Sequence, residues 1–558
     1  MPHVVTQACC GDASCVFACP VNAIHPTPDE PDFGLAEMLY IDPVSCVDCG
    51  ACVTACPVGA ISAHDRLTAE QLPFVDINAL FHETPRSYPA QAPVTPLVAR
   101  TSTDRLRVAI VGSGPAALFA ADELLKRPGV RVTVIDRLPT PHGLVRAGVA
   151  PDHPSTKTVE GLFRHIEEQP GFRYLLGVDV GVDVTHDELA AHHHAVVYAT
   201  GASHDRRLGI PGEDLPGSTT ATDFVAWYNG HPDHADRTFD LSGHRAVVIG
   251  NGNVALDVAR VLATDPERLA GTDIADHALT ALRASAVREI VLVGRRGAEH
   301  AAFTLPELVG LVERDDIDVE VHGDTLVVPA GTDVMTARKL DLLREAAARP
   351  RRPGARTIAF RFASSPQVID ADGDGRVAGV GLVRNDLVPD GGGVVRAVAT
   401  RDVETVSAGL VLRSIGYRGV ALPRLPFDAA SATVPHASGR VDGMPGTYVA
   451  GWIKRGPSGF IGTNRSCAQE TVDALVADAN AGLLTEPAGA SSEFRRLVGD
   501  RVAAAIDLRG WRAIDAAERA AGRTEGRPRR KIVQLDAMLE AASTSAASRR
   551  RRPRLVRR

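Results

Sequence analysis

Four cysteines crowd into eleven residues, Cys46-Val-Asp-Cys49-Gly-Ala-Cys52-Val-Thr-Ala-Cys56, and a proline follows at once. The spacing C-x2-C-x2-C-x3-C-P lets three thiolates of one loop reach three irons of a cubane cluster, while the cysteine before the proline serves a second cluster. Structural zinc takes two short-spaced pairs, so four thiolates in one run exceed what it needs. The chemistry this run supports is single-electron transfer.

A partial copy lies upstream. Cys9 (or Cys10), Cys15 and Cys19, followed by Pro20, keep the outer members and the C-x3-C-P ending, but the middle cysteine is missing. Exchange of the cysteine before each proline assigns Cys46, Cys49, Cys52 and Cys19 to one 4Fe-4S cluster. Cys9 or Cys10, Cys15 and Cys56 remain for a second cluster, which suits 3Fe-4S better than 4Fe-4S. A 4Fe-4S cluster there would need both Cys9 and Cys10, and Cys10 reads more readily as a bystander thiol. Cys19-Pro-Val-Asn-Ala-Ile24 and Cys56-Pro-Val-Gly-Ala-Ile61 also repeat each other. Residues 1–66 thus resemble a two-cluster bacterial ferredoxin, a small α+β fold. The competing reading is a zinc-binding or purely structural docking module.

Two nucleotide sites follow. Leu106-Arg-Val-Ala-Ile-Val111 reads as a buried parallel strand, and it enters Gly112-Ser-Gly114-Pro-Ala116 and a helical stretch to about Lys126. A second strand over 130–135 ends at Asp136, 24 residues after Gly112. The first glycine permits the tight turn, the second lets backbone N–H groups approach a pyrophosphate, and the acid takes a ribose hydroxyl. The unit recurs as the strand before Gly250-Asn251-Gly252-Asn253-Val254 and the strand over 289–293, which ends in Gly294-Arg295-Arg296 instead of an acid. Two guanidiniums there would hold a 2′-phosphate by charge-assisted hydrogen bonds, so this site should prefer NADP(H) to NAD(H). One site for a free ribose and one for a phosphate imply FAD beside NADPH. The apolar strand ending Ala199-Thr200-Gly201, and a second over 447–449 running into Gly451, place the halves of a split FAD domain on either side of the NADP domain.

Elsewhere the chain reads as an ordinary globular protein. Its 558 residues imply three or four domains at roughly 150 residues each, with 44% hydrophobic and 23% charged residues. No apolar run approaches the ~20 residues that span a bilayer, and no basic-then-apolar leader opens the chain, so a cytoplasmic protein is expected. Eight of nine cysteines sit in the N-terminal module, which favours metal ligation over disulfides; Cys467 reads as a small buried hydrophobe. The net charge is −7, and the seven arginines of 549–558 leave the rest of the chain at −14. That acidic body gives no support for nucleic-acid binding. The boundaries expected are the iron–sulfur module at 1–66, a Pro-rich linker at 67–104 with packing of the part near Leu72–Phe81 on a neighbour left open, the FAD domain at 105–204 and 417–540, the NADP domain at 205–416, and a basic disordered tail at 541–558.

The motifs from Leu138 to Pro154, Ile249 to Arg260, Val293 to Gly297 and Gly451 to Asn464 resemble the adrenodoxin reductase-type ferredoxin–NADP reductases, here joined to a ferredoxin. The resemblance implies an α/β fold of two Rossmann-like domains. It implies FAD contacts at Ala116, Asp136, Leu144, Val180, Trp452, Gly459, Phe460 and Ile461, with Gly459 also facing the nicotinamide. NADP contacts fall on Arg206, the Asn251–Val254 turn, Arg295, Arg296 and Glu307. His153 matches a histidine near the flavin, with a proton-handling role and a loop-ordering role equally open. Relatives often continue the Glu307 motif as Glu-Leu-Arg-Glu, whereas this chain has Glu307-Leu-Val-Gly310, which removes a second glutamate from any proton relay. The expected activity is hydride transfer from NADPH to FAD, then single electrons through the clusters to an external acceptor such as a ferredoxin or a cytochrome P450 system. The alternative is an electron-feeding subunit like the glutamate-synthase small subunit. A disulfide reductase is disfavoured, because no C-x-x-C lies in the NADP half.

Overall fold

The computed structural model describes residues 2–83, 106–323, 326–389 and 395–550, with side chains through 543. Valine- and isoleucine-rich runs form two parallel sheets whose strands are covered on both faces, which is why they read as continuous apolar stretches and not as alternations. The first sheet has seven strands. Thr447–Val449, Ala195–Tyr198, Arg107–Val111, Arg131–Asp136 and Phe172–Leu176 run parallel in that order, and the short antiparallel strands Arg440–Val441 and His436–Ala437 extend it beyond Thr447–Val449. The second sheet is wholly parallel, in the order Ser218–Thr220, Leu410–Arg413, Arg245–Ile249, Glu289–Val293, Arg356–Arg361, Ile317–His322.

Between Tyr198 and His436 the chain leaves the first sheet, builds the second and returns. The two crossings pair with each other, His204–Asp205 antiparallel to Tyr417–Arg418. A three-stranded antiparallel sheet of Ser364–Ala371, Val377–Pro389 and Val395–Ser407 lies against the second domain, its apolar side closing over Val247, Ile249, Val291 and Val411.

The N-terminal module is small. His3–Val5 pairs with Ile61–Ala63, Ile24–His25 pairs with Tyr40–Ile41, and two one-turn helices, Ser14–Ala18 and Ala51–Ala55, carry cysteines. The linker expected at 67–104 is corrected here as far as the description reaches. Pro73–Phe81 is a helix whose Phe74, Ile77, Asn78 and Phe81 form one buried face at the 3.6-residue period. The Asn78 side chain accepts from the Val5 and Ile41 N–H groups and donates to the Val5 carbonyl, and Phe81 stacks on Tyr40 at 4.0 Å. Pro73 stands at the first helical position, where a missing N–H costs nothing, so prolines that signal a tether begin a helix instead. Residues 84–105 lie outside the described residues. The tail expected from 541 also changes: the helix Leu535–Arg550 runs through its first ten positions, and 551–558 lie outside the described residues. Among the described residues no helix is long and apolar enough to cross a membrane.

Candidate functional site

Both glycine turns are built alike. Gly112 has φ +102, and a Cβ there would lie 2.4 Å from the Ala199 carbonyl oxygen; Gly250 has φ +127, and a Cβ there would lie 2.0 Å from that of Ser414. In each case the first glycine fits the turn beneath the end of the neighbouring strand, and no larger residue could. Gly114 and Gly252 then cap the helices Pro115–Leu125 and Asn253–Ala263, whose N-terminal N–H groups suit a pyrophosphate.

The strand ends differ. Asp136 accepts from the Ser113 N–H (2.8 Å), the Ser113 hydroxyl (2.6 Å) and the Leu138 N–H (2.9 Å), while burial raises its pKa. Three of about four acceptor sites on the carboxylate are therefore filled by the turn it supports, and one is left for a ligand. Val178 donates to the Asp136 carbonyl, which brings the Val180 segment alongside. At the end of Glu289–Val293, Arg295 is exposed and Arg296 half-buried, and neither guanidinium is paired among the described residues. Arg206, also exposed, lines an open cleft of about 560 Å³ with Arg207 and Arg418 beside the crossing strands.

The glycine-rich segment after Thr447–Val449 folds over the first turn. Gly451 has φ +76, and a Cβ on it would lie 2.6 Å from that of Ala116. Gly143, just before Leu144, approaches Gly114 so closely that a Cβ would sit 3.0 Å from its Cα. The Trp452 indole donates to the Ser458 carbonyl, and Thr463 Oγ1 accepts from the Phe460 N–H. Gly112, Gly114, Ala116, Leu144, Trp452 and 459–461 are thus gathered around one turn.

His153 and Glu307 come together from different domains. His153 Nε2 lies 3.7 Å from Glu307 Oε2 and 3.9 Å from Asp257 Oδ1. Arg260, buried, binds Asp152 (2.7 Å) and Asp257 (2.7 Å) and stands 3.6 Å from Glu307. Burial alone would raise the Asp152 carboxyl, but the Arg260 guanidinium holds it well below the usual carboxylate range. At Glu307 burial wins and its pKa is raised, with His153 opposing. The nearby Tyr228 hydroxyl is buried without a hydrogen-bond partner.

The iron–sulfur module is seated against this same region. Gln7 Nε2 donates to Glu307 Oε2 (3.3 Å), Glu37 accepts from the Leu305 N–H (2.7 Å), and the Cys10 carbonyl accepts from the Gly462 N–H (2.7 Å). Arg465 reaches Asp12 (3.2 Å) and Ser14 (2.7 Å). Two glycines make the fit possible: a Cβ on Gly310 would lie 2.5 Å from the Gln7 amide, and one on Gly462 would lie 2.0 Å from the Gly11 backbone.

Within the module the cysteines divide into two sets. After burial, Cys15 feels the charges of Cys9, Asp12 and Cys56 ahead of Cys52, and Cys52 feels those of Cys46, Cys19 and Cys49. Burial pushes the Cys9 and Cys52 thiols up to about 11 and Cys15 well above its ordinary value. Such thiols ionise at neutral pH only with a cation to bind, which suits iron ligation. The Ala23, Ala60 and Leu39 N–H groups point at Cys19, Cys56 and Cys9 sulfur. Cys10 is buried and directs its thiol to Asp12 at 3.8 Å.

Sequence reasoning missed Gln7, Asp12, Asp152, Asp257, Arg260, Tyr228 and Arg465. Asp12 was there to be found: three residues after Cys9 and three before Cys15, it occupies the position that Cys49 fills in the second run.

Residues 106–291 match the pyridine nucleotide-disulphide oxidoreductase family and residues 8–60 the 4Fe-4S dicluster domain family. The second match overturns the zinc reading. The chain is 53% identical to a probable ferredoxin/ferredoxin–NADP reductase of Mycobacterium tuberculosis, across 100% of this chain and 98% of that one. It is 40% identical to the mitochondrial NADPH:adrenodoxin oxidoreductase of Arabidopsis thaliana, across 82% and 99%. The solved structure of Mycobacterium tuberculosis FprA in complex with NADPH aligns with a TM-score of 0.75 at 46% identity, covering 78% of this chain and 99% of that one. All nine cysteines are free, and Cys467 alone lies beyond the module, so no redox disulfide stands in the nucleotide domains.

Proposed function

Because this chain belongs to the ferredoxin/ferredoxin–NADP reductases, we propose a division of labour among its residues. The protein is an NADPH-dependent oxidoreductase that joins an FAD- and NADP-binding body to an iron–sulfur module. The glutamate-synthase-like alternative is set aside, since relatives matching the whole length are reductases of this family. Bound FAD supplies the conversion between a two-electron hydride and single electrons.

The chain's own residues bind and orient. The turns at Gly112 and Gly250 each leave backbone N–H groups clear for a pyrophosphate. Asp136 takes a ribose hydroxyl with its remaining acceptor site, Val180 packs beside the adenine, and Trp452 with Gly459, Phe460 and Ile461 lines the flavin ring. Arg295 and Arg296, without a side-chain partner among the described residues, clamp the 2′-phosphate, and Arg206 with the Asn251–Val254 turn steadies the rest of NADPH. His153 and Glu307 hold a proton between them beside the flavin, since burial favours protonated Glu307.

In the module, Cys19, Cys46, Cys49 and Cys52 hold a 4Fe-4S cluster. Cys9, Cys15 and Cys56 hold a second of the 3Fe-4S type, because Asp12 in the fourth position is committed to Arg465 and Ser14. The external acceptor is a ferredoxin-like or P450-linked one-electron protein, and the setting is cytoplasmic.

One observation carries this reading: the module's Gln7 and Cys10 contact Glu307 and Gly462 directly, leaving no gap for a separate carrier. Anaerobic reduction by NADPH followed by EPR, with iron, sulfide and flavin quantified together, tests it. Both clusters should become reduced, with about seven irons per flavin; about eight would convert the inner cluster to 4Fe-4S. A protein whose flavin is reduced while its clusters stay oxidised contradicts the circuit.

A further inference from the structure

Resting on that reading, we propose that electrons leave through one face of the module, the apolar collar around Cys19, Cys46, Cys49 and Cys52. The face fits a soluble one-electron acceptor protein with an apolar centre and a rim of lysines or arginines.

Three observations converge on it. The opposite side of the module is closed. Cys10, Asp12 and Gln7 are bonded to the body, and the absent Cβ atoms of Gly310 and Gly462 bring the surfaces into contact. Nothing the size of a protein reaches the Cys9, Cys15 and Cys56 set from that direction.

The outer side is apolar where solvent meets it. Of the fifteen large hydrophobic side chains exposed among the described residues, five lie within two positions of an outer-set cysteine: Phe17, Val21, Val44, Val47 and Val53. Val44 is 92% exposed, and Cys49 itself is exposed. Apolar side chains left in water so close together mark an interaction surface.

Charge then selects the partner. Residues 1–66 carry eight carboxylates against one arginine, Arg66, and no lysine. Two of the eight, Asp12 and Glu37, point inward and meet Arg465 and Lys339 of the body. Glu30 is held by His25 inside the module; of the remainder, Asp48 is exposed in the loop between Cys46 and Cys49, where it also meets His3 at 2.8 Å. An acidic rim around an apolar centre steers a basic protein to the cluster and orients it. One electron passes per encounter. Each NADPH, oxidised to NADP+ with release of a proton, reduces two acceptor molecules.

The test uses the full holoenzyme and, as probe, a lysine-rimmed c-type cytochrome. The clusters are reduced with dithionite, excess reductant is removed anaerobically, and oxidised cytochrome is added. Dithionite fills flavin and clusters alike without NADPH, so a failure of NADPH to load the clusters counts against the proposed circuit and leaves the exit face to be read separately. The rate should fall with ionic strength. Val44→Lys combined with Val47→Lys should slow it at least about tenfold by setting like charges face to face. Phe17→Ser provides a milder second variant with loss in the same direction. Carbodiimide cross-links to cytochrome lysines should map to the peptides carrying Asp42 and Asp48. Cross-links confined to the nucleotide domains, an unchanged rate in both variants, or a face covered in solution by a second copy of the chain would each overturn the assignment.

Discussion

Ser14–Ala18 and Ala51–Ala55 are the same helix made twice, and they end up in different surroundings. Each starts from a residue with positive φ, Ala13 at 60° and Gly50 at 72°, and each ends at a cysteine of nearly identical backbone, Cys19 at −76°, 114° and Cys56 at −73°, 115°. The loop leading into the first helix is buried against the reductase body, with Asp12 and Ala13 almost inaccessible. The loop leading into the second faces solvent, with Val47, Asp48 and Cys49 exposed. Where the outer loop keeps a cysteine ligand, the inner loop has an aspartate bonded to Arg465. Duplication supplied two equal halves; docking made one an inlet and the other an outlet.

Gly462→Val breaks the comparison hardest. Its new Cβ would meet the Gly11 backbone, which has no side chain to swing aside, so the inner half must lift from the body. Reduction of the clusters by NADPH should slow by about a hundredfold, as expected when reacting groups are displaced by an ångström or more. Stopped-flow spectra at flavin and cluster wavelengths would separate the two steps.

Charge removal at matched loops comes next. Asp12→Ala leaves Arg465 partly buried with only the Ser14 hydroxyl as partner and should cost about 1–3 kcal/mol of module docking, read as earlier melting of the cluster chromophore. Asp48→Asn in the outer loop, which keeps a residue tolerated at its left-handed φ and able to bond His3, should lower the melting temperature by less than Asp12→Ala while lowering the rate with a basic acceptor.

Gly310→Glu, which restores an acid at that helix position, should be tolerated better than Gly462→Val, because it meets only the flexible Gln7 side chain. A loss of about three- to tenfold in cluster reduction is expected, equivalent to about 1 kcal/mol. The smallest effect is a backbone one. The new methyl of Gly50→Ala would make only ordinary contact with His3, at 3.8 Å, but the φ there is left-handed, so the outer half should be destabilised by about 1 kcal/mol, while Ala13→Gly should shift the inner half by less than that. Denaturation followed at the cluster absorbance measures both.

Much of this was legible beforehand. The two turn glycines, Gly112 and Gly250, announce themselves because strand, turn, helix and strand recur around them, and the cysteine spacing carries the cluster module. The proposed crossover of Cys19 and Cys56 applies the two-cluster ferredoxin rule to the repeat. What stayed hidden depends on chain segments far apart in sequence. No local pattern tells that Gln7 meets Glu307, or that Arg465 meets Asp12. Pro73–Phe81 was obscured because prolines around a helix resemble prolines in a linker until its buried face is seen. Gly310 was visible as a departure from the family motif, yet its meaning needed Gln7 beside it.

In the proposed circuit the inner cysteines receive electrons and the outer cysteines release them. Freeze-quench EPR after mixing with NADPH, on Cys15→Ala and Cys49→Ala holoproteins side by side, tests it most directly. The Cys49→Ala protein should reduce its inner cluster at the parent rate, and the Cys15→Ala protein should reduce its outer cluster about a hundredfold more slowly. An outer cluster that fills at the parent rate without Cys15 would contradict the account.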